Sequence, residues 1–226
     1  MLNATHIAAL TTFARELKHT HSDRDVPFFD PLDGGTAARI LVLLEAPGPL
    51  ATEKKGSEFV SLNNDDPTAA TLWRLVHEAG ISRANLIVWN IVPWYLGDDA
   101  YKRINAATRK DIELARPDLL GLLKLLPALK VAVLLGRPAQ TGWLNATPEM
   151  ERPLPVVASR HPSPRAWAAM LSVSPVSARH SVQPCESLKA PRRRARRSIR
   201  WSGAGGRTAR TRSPRGPRRP RSRSRR

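Results

Sequence analysis

Arg39-Ile40-Leu41-Val42-Leu43-Leu44-Glu45-Ala46-Pro47-Gly48 is the stretch that decides the fold. After Arg39 come five consecutive aliphatic side chains with no polar alternation, the pattern of a strand covered on both faces. Glu45 then ends the apolar run, and Pro47 and Gly48 turn the chain into a tight loop. Three more runs share the pattern: residues 85–89 (NLIVW), 130–135 (KVAVLL) and 154–158 (LPVVA). Helical signals stand between them. Over residues 67–79, Asp66 is placed to cap, Pro67 takes the first helical position, Leu72, Leu75, Val76 and Ala79 form one stripe, and Gly80 is the stop. A second helical pattern covers residues 104–126, with a break expected near Pro117. At the N-terminus, Ile7, Leu10, Phe13, Ala14 and Leu17 make the apolar face of a third. Strands alternating with helices predict βαβ units, and hence an α/β fold: a three-layer α/β/α sandwich around a four-stranded parallel sheet.

Composition divides the 226 residues into two parts. Residues 1–178 hold 19 basic and 18 acidic side chains, whereas residues 179–226 hold 18 and 1, so nearly all of the net charge of +18 belongs to the tail. The near-neutral part is long enough for one domain with a real core. The expected organisation is a domain over residues 1–170 followed by a basic Arg/Ser/Pro-rich disordered tail over 171–226. Cys185 is the single cysteine. It excludes an intrachain disulfide, a cysteine-based zinc site and a four-thiolate cluster, and it fits a reducing compartment. The most apolar stretch, residues 119–135, is interrupted by Lys124, Pro127 and Lys130, short of the roughly eighteen uninterrupted apolar residues a membrane span needs. The N-terminus lacks the basic start of a secretion signal. A soluble cytoplasmic protein without membrane association is expected.

Ligands of open parallel sheets bind beyond the carboxyl ends of the strands, so the strand exits are where chemistry is to be sought. They are Glu45-Ala46-Pro47-Gly48 after the first strand, Asn90 after the second, Gly136-Arg137-Pro138 after the third and His161-Pro162-Ser163-Pro164 just beyond the fourth. Between the first two exits lies Glu58-Phe59-Val60. These landmarks resemble those of the uracil-DNA glycosylase superfamily. Leu44-Glu45-Ala46-Pro47-Gly48 is similar to the first motif of its bacterial and archaeal iron-sulfur branch, G-E-A-P-G, with Leu44 in place of the leading Gly. His161-Pro162-Ser163-Pro164 is similar to H-P-S-P, the second motif of the most widespread branch. Glu58-Phe59-Val60 resembles the P-F-V that supplies a base-stacking Phe, with Glu58 for Pro, and Asn90 ends a strand as the uracil-reading Asn does. The resemblance spans residues 39–167.

What the resemblance implies is a DNA glycosylase that hydrolyses the N-glycosidic bond of uracil in DNA after base flipping, starting base excision repair. It implies DNA as partner, a monomeric working form, and no cofactor or metal. Such a reaction leaves an oxocarbenium-like sugar and a negatively charged base, so a site must stabilise an anion and admit water. Flipping costs a few kcal/mol, offset by stacking and by hydrogen bonds to the Watson-Crick edge. On this reading Phe59 stacks on the base, and Asn90 donates to uracil O4 and accepts the N3 proton. His161 donates to O2, where charge accumulates, and Ala46 and Gly48 border the base through their backbone. Ser163 and Arg165 meet the DNA. Ala46 replaces the water-activating Asp of the H-P-S-P branch, which leaves Glu45 first among the candidates, with Asn63, Asn64 and Asp65 as alternatives. Gly48 stands where that branch has a methyl-excluding Tyr, so selectivity is expected to be looser. The iron-sulfur branch uses four cysteines, and this chain has one, so no cluster is expected.

Each of these residues also has an architectural reading. His161 can be a capping residue, Phe59 a core side chain, Asn90 a turn former and Arg165 a phosphate contact. Trp73, Trp89 and Trp143 fall in helical or strand patterns and are expected in the core. The tail has two readings as well: an electrostatic arm for nucleic acid, or the product of a GC-rich gene read out of frame. The rivals to an enzyme are a catalytically inactive DNA-binding module of the same fold and a nonspecific nucleic-acid binder acting through the tail.

Overall fold

The structure is a computed structural model, and it describes residues 2–150 and 152–164. In chain order its elements are α1 (Ala8–Thr20), β1 (Phe28–Phe29), β2 (Ile40–Leu44), β3 (Phe59–Val60), α2 (Pro67–Glu78), β4 (Leu86–Asn90), α3 (Arg109–Lys124), β5 (Val131–Leu135), α4 (Arg137–Ala146) and β6 (Val156–Ser159), with short 3-10 turns between several of them. All four apolar runs are strands, and they form one parallel sheet in the order β4-β2-β5-β6. The fold is therefore α/β with a four-stranded parallel sheet, as the sequence predicts. The domain boundary expected at residue 170, the tail beyond it, Arg165 and Cys185 lie outside the described residues.

Strand alternation assigns the two faces of the sheet. Leu41, Leu43, Ile87, Trp89, Ala132 and Leu134 are all at most 2 % exposed. On the helix-covered side α4 packs on β5 and β2, α3 packs on α4, and α1 packs on α3 and β1. On the opposite face Ile40, Val42, Val133 and Leu135 look across a cavity toward Leu72, Leu75 and Val76 of α2. Coverage there is thin, because Leu75 stays 37 % exposed and every residue of β6 is exposed. The fourth strand thus departs from the expectation of cover on both faces: it is the sheet edge, and no described helix lies over it.

Local chemistry explains where the helices begin and end. The Asp66 carboxylate accepts from the N–H groups of Thr68 and Ala69, and Pro67 follows at a position where its missing N–H costs nothing. Gly80, with φ +64, ends the turn after α2 in a conformation that favours glycine. Two expectations need correction. The second helix starts at Arg109 instead of 104, because Gly97 bridges Ile104, Asn105 N–H donates to Leu96 C=O, and Thr108 with Asp111 forms a reciprocal capping box. That helix also runs unbroken through Pro117: Ile112, Ala115, Leu119 and Leu122 bury one continuous stripe, which outweighs the one backbone bond that a proline removes.

Trp89 and Trp143 are in the core as expected, but Trp73 is 51 % exposed and stacks on His77 at the surface of α2. A short second sheet, β1 paired in parallel with β3, joins Phe28 to Phe59. With two residues in each strand it has no run or alternation to be read from sequence. Phe29 from β1 stacks on Trp89 with centroids 3.6 Å apart, which fixes the small sheet against the large one.

Candidate active site

A parallel sheet places the carboxyl ends of its strands on one edge, and β2 is where the chain order reverses, with β4 on one side and β5 and β6 on the other. The expected ligand crevice is at that switch point. Leu44 at the end of β2 stands opposite Asn90 at the end of β4. The pairing continues past the strand ends, as Ile91 N–H donates to Leu44 C=O (2.8 Å) and Val92 N–H donates to Glu45 C=O (3.0 Å). The exits carrying Glu45 and Asn90 are therefore held side by side.

Asn90 is 4 % exposed. Among the described residues no hydrogen bond engages its side-chain amide, which leaves both a donor and an acceptor available to a ligand. By strand alternation it points to the α2 face, the face on which His161 lies beside Leu135 and Ser159. A turn-forming Asn uses its side chain on nearby backbone, and this one does not.

His161 is half-buried. The Ser163 N–H donates to its Nδ1 (3.3 Å), so in the neutral ring the proton sits on Nε2 and that nitrogen is the donor. Burial pushes its pKa below the ordinary 6.5, while the carboxylates of Glu45 and Asp66 pull in the opposite direction. The loop reaches this position across Gly136, whose φ of +95 is a glycine conformation and where an added Cβ would stand 3.2 Å from the His161 Cβ.

Glu45 is half-buried, and its Oε1 accepts from the Ala107 N–H (2.7 Å), which anchors the segment leading into α3. The other carboxylate oxygen remains available to a water or a ligand. The alternatives fare differently. The Asn63 side-chain oxygen accepts from Arg83 (3.1 Å), Asn64 bridges Ser57 and the Phe59 carbonyl, and Asp65 is exposed. Beside Gly48 an added Cβ would meet no atom within 4 Å, so there is open space at the end of the first motif. Ala46 packs on the edge of the core. Phe59 is half-buried on β3, with its ring 6.3 Å from that of Phe28.

The structure thus brings Glu45 and His161 within electrostatic reach of each other and sets Asn90 beside the Glu45 exit. Phe59 stands on the adjoining small sheet instead of on an exit of the main one. Ser163 acts through its backbone on His161, and Arg165 lies outside the described residues. Two contributors were not legible as site residues. Asp66 carries only a helix-cap signature in the sequence, yet its charge acts on His161, and Gly136 reads as an ordinary strand-end glycine. Four thiolates for an iron-sulfur cluster cannot come from a chain with one cysteine, so that group does not fit this chain.

A family model, the uracil DNA glycosylase superfamily, matches residues 31–179, more than half of the chain. Among solved structures, that of a mimivirus uracil-DNA glycosylase is similar at 12% sequence identity and a TM-score of 0.39, over 72% of this chain and 65% of that one. The chain spans a little less than two thirds of that protein's length. No curated protein matches it.

Proposed function

The chain belongs to the uracil DNA glycosylase superfamily, and from that membership we propose that it hydrolyses the bond between deoxyribose and uracil in DNA. The observation that supports the reading is the Asn90 side-chain amide, which no hydrogen bond engages among the described residues, on the same sheet face and strand edge as a histidine whose donor nitrogen is defined. One amide N–H donates to uracil O4 and the amide oxygen accepts the N3 proton, a pair of contacts that cytosine, with an amino group at that edge, cannot make. Phe59 supplies a stacking surface, and the backbone about Ala46 and Gly48 borders the base.

As the bond from C1′ to N1 breaks, its electron pair goes to the base, and negative charge collects on O2. The Nε2–H of a neutral His161 donates to that oxygen. A neutral imidazole suits the task, since it has a proton to donate and its burial disfavours the charged form. Water adds its oxygen to C1′, and the proton it loses goes to a carboxylate or to solvent. Glu45, with one oxygen fixed by Ala107 N–H and the other available, orients that water. Ser163 and Arg165 contact the DNA.

The test is His161→Ala under single-turnover conditions. We expect the excision rate to fall by about 10² to 10³, the effect of removing one donor to a developing anion, with DNA affinity little changed because the interaction strengthens in the transition state. An unchanged rate would remove His161 from the mechanism. A second reading, a uracil-recognising module without hydrolysis, is favoured by Ala46 at the Asp position of the H-P-S-P branch and by the structural duty of Glu45. Binding of uracil-containing DNA with no excision by the unaltered chain is its signature.

A further inference from the structure

Glu58 has φ +65, a left-handed conformation that a residue with a Cβ disfavours and that persists only where its surroundings hold it. It directly precedes Phe59, so the direction in which the chain leaves Glu58 sets where the Phe59 ring stands. The P-F-V pattern has proline at this position, and a proline, whose ring fixes φ at roughly −65°, could not take this conformation. The approach to Phe59 is therefore this chain's own.

What holds Glu58 comes from the last turn of α1. The Lys18 ammonium stands 2.5 Å from Glu58 Oε1, with the two side chains only 27% and 32% exposed. The same ammonium lies 4.4 Å from the centroid of the Phe28 ring. Phe28 N–H in turn donates to Glu58 C=O (2.7 Å), and Phe28 is the register partner of Phe59. One cation thus engages the neighbour of Phe59 along the chain and its neighbour across the small sheet. Fully exposed ion pairs contribute little, but this one is shielded, shares its cation with an aromatic face and opposes a disfavoured backbone. Beyond Glu58 the Phe59 peptide groups are anchored separately. Ser57 Oγ accepts the Phe59 N–H (3.1 Å), the Asn64 amide donates to Phe59 C=O (2.9 Å), and Ser57 Oγ donates to Asn64 Oδ1 (2.6 Å). The left-handed turn before them depends on the ion pair and on the backbone bond to Phe28.

We propose that Lys18 is a positioning residue for base recognition: its ion pair with Glu58 maintains the left-handed turn that presents the Phe59 ring to the flipped base. This rests on the reading of Phe59 as the stacking surface. Lys18 acts through Phe59, without contact to substrate, and it belongs to no strand exit and to none of the motifs.

Two measurements on the full-length protein test it. In the free protein, Lys18→Met, which keeps the length of the side chain and removes its charge, should speed hydrogen exchange of the Phe28 amide at least about tenfold while the amides of β2 keep their protection. Under single-turnover conditions the same variant should raise the half-saturating protein concentration for uracil-containing DNA about fivefold or more, the lower end of what a base-aromatic stack contributes. The rate at saturation should change far less, because stacking holds the flipped base in ground and transition state alike. The loss should vanish in a Phe59→Ala background. Adding Glu58→Gly to Lys18→Met should recover it, since glycine takes this conformation at no steric cost. Unchanged exchange of the Phe28 amide, additive effects of Lys18→Met and Phe59→Ala, or no recovery by Glu58→Gly would overturn the role of Lys18 and leave the glycosylase reading standing. An unaltered chain that excises no uracil would overturn that reading and this role with it, whatever the Phe28 amide shows.

Discussion

Replacing Asn90 by Ala separates recognition from architecture, because the two readings of this residue predict opposite outcomes. Its amide has no hydrogen-bond partner among the described residues and the side chain is 4 % exposed. Truncation therefore orphans no protein group, and the change in folding stability should stay within about 1 kcal/mol. Bound uracil, in contrast, would lose a donor to O4 and an acceptor for its N3 proton. Each buried group left unpaired costs about 1–3 kcal/mol, so the pair costs about 2–6 kcal/mol. At about 1.4 kcal/mol per factor of ten, the single-turnover rate constant divided by the half-saturating protein concentration should fall between about 30-fold and about 10⁴-fold. The assay is excision from a uracil-containing oligonucleotide with protein in excess, alongside urea denaturation of both proteins. A variant that excises uracil within threefold of the parent, or one that loses several kcal/mol of stability, would refute the assignment of Asn90 as the base reader.

Two predictions concern pH. Burial lowers the His161 pKa, so the rate should be level through neutral pH and its acid limb should fall below the ordinary 6.5. Because the folded state disfavours the proton, the stability this group contributes is present above 6.5 and is lost as pH falls through the folded pKa. A His161 titration midpoint at or above 6.5 by NMR would contradict this. Asp33 behaves in the opposite sense, since burial raises its pKa to about 6 against the attraction of Arg83. Its stabilising contribution is complete below 3.8 and disappears as pH rises through about 6, an effect of up to about 3 kcal/mol. Asp33→Asn should therefore flatten the dependence of unfolding free energy on pH between 4 and 6, and an unaltered slope would show that Asp33 does not titrate there.

The elements differ in how far the sequence reveals them. The four strands of the large sheet are legible because each is a short aliphatic run, and in Ile40 to Leu44 no polar side is left to be wet; α2 is legible because Asp66, Pro67 and Gly80 mark both ends by local chemistry. The start of α3 was not: Ile104 looks periodic with the apolar residues of the helix, and only long-range bonds to Leu96, Gly97 and Glu45 keep residues 104–107 out of it. Trp73 was misplaced for a related reason, since an aromatic on an amphipathic helix reads as core unless the opposing layer is known to be incomplete. At the site, His161 and Asn90 could be named from motif residues, but the proton position on His161 comes from the Ser163 backbone, and the reach of Asp66 comes from how α2 docks. Neither is a property of a motif.

The most direct measurement is incubation of the unaltered full-length protein, in EDTA and at stoichiometric excess, with matched oligonucleotides carrying uracil, thymine or cytosine at one position. Alkali then cuts any abasic site formed. A uracil-excising enzyme gives cleavage at the uracil position and an intact cytosine strand, with the thymine strand reporting how much selectivity the open space beside Gly48 costs. An intact uracil strand would contradict that activity, as would cleavage that ignores which base is present.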